Sequence, residues 1–404
     1  MRIHILPRLL LRYSRIVTLL LSFPFLTTAI SIACEWDYRI WQVHSKSADP
    51  LYRFVQNGKA GYIDGTGKVV IKPQFSAYGN SGDEFHDGLL EIGVSGGQYV
   101  DVTGKLVIDK GHGWNFSEGL AAALDRDHRK WGYIDRSGEF AISPRFLTYP
   151  KGYVSSFSDG LAMIEVGKKY GYIDRTGEFV IQPRFLHATD FHDGMARVVV
   201  AGPCAYHGEG PCPDFRLLGE NAQGRATACK FAFIDKSGSI VTSQQYDYAK
   251  EFSEGLAPVL IGKKWGYIDK KGRTVIPPGF AEAEPFSDGL ARVKLGEQYG
   301  YIDHSGILVI PAIYKYAEDF SDGLAVVCNN WSKKSFRYEE FYYINRRGEQ
   351  AISEQFALAS PFFKGLAHVK VRSNKTTDDD EETKGTFAYI DTSGRKVFTY
   401  AGEK

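Results

Sequence analysis

The chain has no excess of charge of either sign, with 49 lysines and arginines against 48 aspartates and glutamates. That removes the electrostatic term on which nucleic-acid binding rests, so a nucleic-acid partner is not expected. No G-x-S-x-G, H-E-x-x-H, phosphate-loop or dinucleotide fingerprint occurs, so the common hydrolase and nucleotide-binding chemistries lack their residues. The ten histidines are scattered, and only His86 and His192 share a local context, F-H-D-G. Only three methionines are present, against 43 glycines and 14% aromatics, a balance that suits many short strands joined by tight turns. Low complexity is confined to the acidic run Asp378–Glu382.

What is present is a repeated phrase. An F-S/H-D/E-G-L-A block places its glycine at Gly88, Gly119, Gly160, Gly194, Gly255, Gly289, Gly323 and Gly365. Interleaved with it, a G-Y-I-D block ends at Asp64, Asp101, Asp135, Asp174, Asp235, Asp269, Asp303, Asn345 and Asp391. A period of about 34 residues, copied nine times, means one supersecondary unit stacked on itself. Repeat arrays of this kind are usually binding surfaces.

The unit around Gly289–Phe320 reads as three strands. Leu290–Leu295 alternates apolar and polar, Tyr299–Asp303 follows a short turn, and Ile307–Ile310 follows the D-x-S-G turn. Pro311 is expected to close that last strand, since it lacks a donor. The aspartate opening each D-x-S/T-G turn has a structural explanation: its carboxylate accepts bonds from the turn's own amides, and the glycine takes a positive φ. Asp64, Asp135, Asp174, Asp235, Asp269, Asp303 and Asp391 are therefore read as turn residues, not as catalytic or calcium ligands, and Asn345 keeps the same bond without the charge. The acid of F-x-D-G is read as a turn residue on a solvated face, because Lys364 replaces it in the eighth copy. The recurrent phenylalanines, Phe85 to Phe362, are expected to form a buried ladder between neighbouring units.

These residues resemble the bacterial WG repeats. Trp131-Gly132-Tyr-Ile-Asp135 and Trp265-Gly266-Tyr-Ile-Asp269 match the motif fully, Ala60-Gly61, Tyr170-Gly171 and Tyr299-Gly300 match the glycine, and Gln98, Ala232, Tyr342 and Ala388 depart from it. The resemblance implies an all-β repeat module in exported or surface proteins, with no shared catalytic residue. The expected fold is all-β: nine tandem three-stranded antiparallel units in an open curved or superhelical array, with a closed propeller-like ring as the alternative. The open form is favoured because the first unit begins with its own first strand, Tyr52–Val55, and the last ends with its own third, Lys396–Thr399. Neither end leaves a strand to exchange.

Residues 1–33 differ in kind: Arg2, Arg8, Arg12 and Arg15 precede an apolar stretch, and no acid appears before Glu35. This is the layout of a secretory signal peptide, with an uncleaved anchor as the alternative. Ser31-Ile32-Ala33-Cys34 suits a lipoprotein site, with lipidation on Cys34, as well as ordinary cleavage. Residues 34–50 then form a linker and 51–404 the repeat domain. Export permits disulfides, for which Cys204, Cys212, Cys229 and Cys328 are candidates in any of three pairings. A zinc site using His207 is disfavoured by the Cys-x7-Cys spacing, and no metal or cofactor is expected.

The spacing from the F-x-D-G glycine to the glycine of G-Y-I-D is 11 in the units at Gly160, Gly255 and Gly289, but 38, 19 and 23 in those at Gly194, Gly323 and Gly365. All three expansions, including the insertion at 201–230, fall in the loop between first and second strands, on one edge of the array. The expectation is an exported, non-enzymatic scaffold in the periplasm, outer membrane or cell surface of a bacterium. It would bind a protein or glycan, with membrane contact only through the lipid or anchor. The alternatives are a propeller-type envelope hydrolase and a structural or inhibitory adaptor.

Overall fold

A computed structural model describes residues 50–77, 84–92, 97–127, 129–147, 152–201, 230–242, 245–332, 337–372 and 385–402. The described residues contain strands and turns and no helix, with sheet strands pairing antiparallel in nine successive units. The repeated F-x-D-G turn explains part of this directly. The acid and the glycine both take positive φ, as at Asp288 (54°) and Gly289 (82°), and Ser287 pairs with Leu290 across them. Two consecutive left-handed residues make a type I′ hairpin, whose twist matches that of its strands. It joins the first strand to a short leading strand before it: Tyr248–Ala249 pairs with Leu256–Ile261, and Glu282–Ala283 with Ala291–Leu295. Several units therefore have four strands, one more than expected.

The third strand also departs from expectation. It runs through its proline without stopping, as in Val69–Ser76, Phe140–Leu147, Phe179–Phe185, Thr274–Phe280 and Leu308–Tyr314. Each makes a bulge in which three residues lie opposite one glycine: Trp265 pairs with Phe280 and Tyr267 with Ile276, leaving 277–279 over Gly266. The glycine of the W-G pair is the consequence. A Cβ on Gly266 would lie 2.6 Å from Ile276 O and 2.7 Å from Pro278 N, and one on Gly300 2.7 Å from both Ala312 N and Ile310 O. In units 2 and 9, where Gln98 and Ala388 replace the glycine, the register runs straight, Gln98 against Asp109 and Ala388 against Thr399. In units 5 and 8, with Ala232 and Tyr342, the described third strand is reduced to isolated bridges such as Phe231–Tyr246 and Phe341–Phe356. Glycine and proline go together where the bulged ladder is continuous; units 5 and 8 keep the same register, Phe231–Tyr246 with Ile234–Ile240 and Phe341–Phe356 with Ile344–Gln350, but over Ala232 and Tyr342 only isolated bridges remain.

Units stack through one repeated set of contacts. The tyrosine of G-Y-I-D meets the next unit's phenylalanine edge-on, with Tyr133–Phe157, Tyr172–Phe191 and Tyr301–Phe320 centroids 4.8–4.9 Å apart. Its hydroxyl donates to a carbonyl of that next unit, Tyr133 to Ser155 O at 2.7 Å and Tyr301 to Glu318 O at 2.6 Å. Phe116, Phe157, Phe191, Phe252, Phe286, Phe320 and Phe362 are all buried. Burial of each such ring contributes roughly 1.5–3 kcal/mol, which one isolated unit could not muster against its chain entropy. Each D-x-S/T-G glycine in turn sits on the preceding unit's third strand: Gly306 on Ile276, Gly348 on Ile310, Gly394 on Ile352.

The same contacts join the ends. Gly67 of unit 1 sits on Val397 and Phe398 of unit 9. Tyr52 meets Tyr389 at a tilt with centroids 5.6 Å apart, Phe54 meets Phe398 edge-on at 4.9 Å, and these residues form one core cluster with Ile63 and Leu366. Tyr52 Oη donates to Lys364 O at 2.7 Å, and Tyr389 Oη donates to Arg53 O at 2.5 Å. Of the two arrangements weighed from the sequence, these are the contacts of the closed ring. The inference that closure needs an exchanged strand does not hold. Here side chains of two complete units meet face to face, as at every other junction.

Candidate functional site

The D-x-S/T-G aspartates come first, because a carboxylate freed from its turn would be a candidate catalytic group. Asp64 Oδ1 accepts from Thr66 N (2.9 Å), Thr66 Oγ1 (2.6 Å) and Lys68 N (3.1 Å). Asp135, Asp174, Asp235, Asp303 and Asp391 make the same three bonds, and Asp269 makes the two backbone ones and binds Arg273. Asn345 Oδ1 takes the backbone pair, from Arg347 N and Glu349 N. The hydroxyl bond holds the Asp64, Asp135, Asp174 and Asp303 carboxyls below their usual range. Every one of these groups is spent on its own turn.

The F-x-D-G acids do something the sequence reading missed. Each accepts a bond from the backbone N–H of the next unit's F-x-D-G glycine. Asp87 takes it from Gly119, Asp159 from Gly194, Asp193 from Gly255, Asp288 from Gly323 and Asp322 from Gly365, at 2.6–2.7 Å. Glu118 reaches Gly160 and Glu254 reaches Gly289 at 3.0–3.2 Å. The serine before the acid runs a parallel ladder, as Ser287 Oγ donates to Phe320 O at 2.7 Å. From the following unit's D-x-S/T-G turn, Lys270 pairs with Asp193 at 2.5 Å and His304 with Glu254 at 3.2 Å. Lys364 falls at the one junction where this bond cannot form. The next block in the ring begins unit 1, where Pro50 precedes Leu51 in the glycine's place and has no N–H to give. Gly65 stands there where six other turns carry Arg136, Arg175, Lys236, Lys270, His304 and Arg346.

A second column of residues lies just before the ladder phenylalanine: Asn115, Ser156, Asp190, Glu251 and Asp319. Two of them are answered by an arginine on the preceding unit's first strand. Arg292 Nε is 3.0 Å from Asp319 Oδ1, its Nη1 donates to Ala317 O at 2.6 Å, and its guanidinium lies 5.2 Å from the Tyr299 ring. Arg197 donates to Ala249 O, lies 3.7 Å from Glu251 Oε1, and covers Phe231 and Tyr248. Lys250 and Glu284, 2.7 Å apart, extend the network. Units 5 to 8 are thus neutralised from within. Units 3 to 5 are not: Asn115 Oδ1, Ser156 Oγ and Asp190 Oδ1 are sealed from solvent without a hydrogen-bond partner. Burial raises the Asp190 carboxyl above its ordinary range, against a bond from the Ser155 hydroxyl. Reading the repeat by columns would have exposed this contrast; the composition of any single unit does not.

Cys34, Cys204, Cys212 and Cys229 lie outside the described residues, as does His207. Cys328 is buried in the strand Leu324–Cys328, its Sγ 3.4 Å from Asn330 O. Among the described residues no three His, Cys, Asp or Glu side chains gather as metal ligands, and no helix is long and apolar enough to cross a membrane.

The model of a family described as WG containing repeat matches residues 61–88, 131–170, 170–202, 231–265, 265–299 and 299–330. No curated protein sequence matches. Among solved structures, Porphyromonas gingivalis dipeptidyl peptidase 4 is similar at 9% identity and TM-score 0.49, over 88% of this chain and 58% of its own. Kluyveromyces lactis Hsv2 is similar at 9% identity and TM-score 0.32, over 64% and 94%. A protein of unknown function from Bacteroides caccae is similar at 14% identity and TM-score 0.21, over 68% and 90%.

Proposed function

We propose, on the premise that the chain is a WG-repeat protein, that its ring is a binding scaffold that captures a protein or glycan with the face carrying the long first-to-second-strand connections. One observation carries the reading. In four units this connection is a two-residue turn, Gln56 to Lys59, Val166 to Lys169, Ile261 to Lys264 and Leu295 to Gln298, and in two it is five residues, Ile92 to Gln98 and Leu124 to Lys130. In three units it spans Ala201 to Lys230, Cys328 to Tyr342 and Val371 to Thr386. Repeats place equivalent loops on one face, so independent growth at the same connection builds one surface. The turn aspartates are committed to local bonds, which argues against a hydrolase that borrows them.

The basic start, apolar middle and small residues before Cys34 support export, with the scaffold free in, or lipid-anchored to, the envelope of a bacterium. Mass spectrometry of the mature N-terminus reads this directly. The binding test is capture from envelope extract by the mature chain, beside a variant in which 202–229 is replaced by an Asn-Gly turn, the residues unit 1 uses at Asn57-Gly58. Loss of a specific partner in the variant supports the reading. A partner that the variant retains undiminished places the binding surface elsewhere.

A further inference from the structure

We propose that units 3 to 5 hold a guanidinium-binding site that takes an arginine side chain from a bound polypeptide, where units 5 to 8 supply arginines of their own. The proposal rests on the scaffold reading and names the chemistry one sector of the ring recognises.

Register makes the comparison exact in position. Arg197 pairs across its sheet with Phe233 and Arg292 with Tyr301, the second residue of each G-Y-I-D block. At the same register Met163 pairs with Tyr172 and Ala122 with Tyr133. An arginine here meets three things: a backbone carbonyl of the next unit, the acid before its phenylalanine, and aromatic rings beside it. At the junction of units 4 and 5 the arginine is replaced by Met163, yet the acid remains as Asp190 and the rings as Tyr170 and His187, 5.6 Å apart. At the junction of units 3 and 4 the side chain shrinks to Ala122, with Ser156 in the acid's place, and the rings there are Trp131 and Tyr153, each packed on Trp114 at 5.8 and 5.4 Å. The two places adjoin, since Ser158 Oγ lies 2.6 Å from Phe191 O, two residues from Ser156 and one from Asp190 respectively.

The unpaired oxygens say what is missing. Ser156 is 8% exposed, and its Oγ and Asp190 Oδ1 lack partners. No described lysine or arginine forms an ion pair with Asp190. A single carboxylate among hydroxyl and carbonyl oxygens and aromatic faces suits a planar, weakly hydrated cation with several donors, better than a metal ion or a compact ammonium. Asn115, Asp190, Trp114 and Tyr153 are only half-buried, so the sector is reachable, and methionine is flexible enough to yield.

The test is calorimetric titration of the mature chain with Nα-acetyl-arginine amide, with the lysine analogue and calcium chloride as parallel arms. Saturable binding of the arginine compound is expected in roughly the millimolar range, with the lysine analogue weaker by about tenfold. Asp190→Asn should abolish it. Met163→Arg should abolish it too while raising Tm, because the chain then carries its own guanidinium. Absence of saturation in the wild type, equal binding by Asp190→Asn, or Asp190-dependent binding of calcium alone would each overturn the proposal. Asp190→Asn decides the matter even if Met163→Arg misfolds. The variant with 202–229 replaced should bind the arginine compound unchanged, so failure of the scaffold reading and failure of this one give different results.

Discussion

Gly266→Ala tests the account of the repeat most directly, because its sign is at stake. Gly266 does not have a positive φ, so alanine is allowed by the backbone. An unobstructed glycine-to-alanine change inside a strand stabilises by roughly 0.5–1 kcal/mol, through the entropy of the unfolded chain. Here the new methyl would stand 2.6 Å from Ile276 O and 2.7 Å from Pro278 N. Both are backbone atoms of a bulge pinned at either end by Trp265–Phe280 and Tyr267–Ile276 pairing. No side chain can rotate away, so the third strand has to lift. Overpacking of this kind costs about 1–3 kcal/mol. The expected product resembles unit 5, where Ala232 faces a third strand reduced to isolated bridges. The measurements are Tm and amide hydrogen exchange, with faster exchange expected across Thr274–Phe280 and Tm lowered. Ala388→Gly, in a unit without this bulge, serves as the control and should lose about 1–2 kcal/mol, from backbone entropy and one buried methyl, with no local loosening. If Gly266→Ala raised Tm and left exchange unchanged, the steric origin of the W-G glycine would be refuted.

Three further predictions follow from the ladders and the buried acids. Asp322→Asn should destabilise by about 1–2 kcal/mol, through loss of a charge-assisted bond from Gly365 N, whereas Lys364→Asp should gain nothing, because Pro50 offers no N–H; thermal melts of the pair check this. Asp303→Asn should be nearly silent, as Asn345 already shows, while Asp303→Ala should lower Tm by removing three acceptor bonds. Burial pushes the Glu91 carboxyl up to about 7 from 4.5, so the folded state holds that proton more tightly and stability falls as pH rises between those values. Glu91→Gln should therefore raise Tm relative to wild type at pH 8 and much less at pH 4.5. A pH-independent difference would show that Glu91 ionises freely.

The all-β class, the nine-fold repeat and the turn chemistry were legible because each rests on bonds between near neighbours. D-x-S-G binds its own amides, and its residues say so. The Phe ladder was legible because a large apolar ring at fixed spacing has nowhere else to go. Closure was not legible: it depends on whether Tyr52 and Phe54 meet Tyr389, Phe398 and Tyr400 after nine small rotations, and no local pattern encodes a sum of angles. The acid of F-x-D-G is the turn residue the sequence predicts, but its partner was missed for a related reason. Its partner, the next unit's glycine N–H, lies 32 to 62 residues away and leaves no mark on residue type. The proline was read as a strand terminator because a donor was counted as lost, when the bulge had already turned that position out of the ladder.

The repeat also supplies its own internal controls, and they separate two kinds of departure. Some departures come in compensating sets. Where the W-G glycine is lost, the proline is absent too, and the third strand either runs straight or loosens. Where the ladder acid becomes Lys364, the N–H it would bind is missing at Pro50 and the turn cation is missing at Gly65. Such sets keep a junction intact while changing its parts, and they need no ligand to explain them. The departure at Met163 has no second half. The arginine is gone, yet Asp190 stays, half-buried and raised in pKa, answered by the Ser155 hydroxyl and by His192 but by no lysine or arginine of the described residues, with the rings of Tyr170 and His187 still in place. A carboxylate whose Oδ1 is sealed from solvent without a donor costs stability in its charged form. That cost falls where a partner's charge, and not the chain's own, would complete the site.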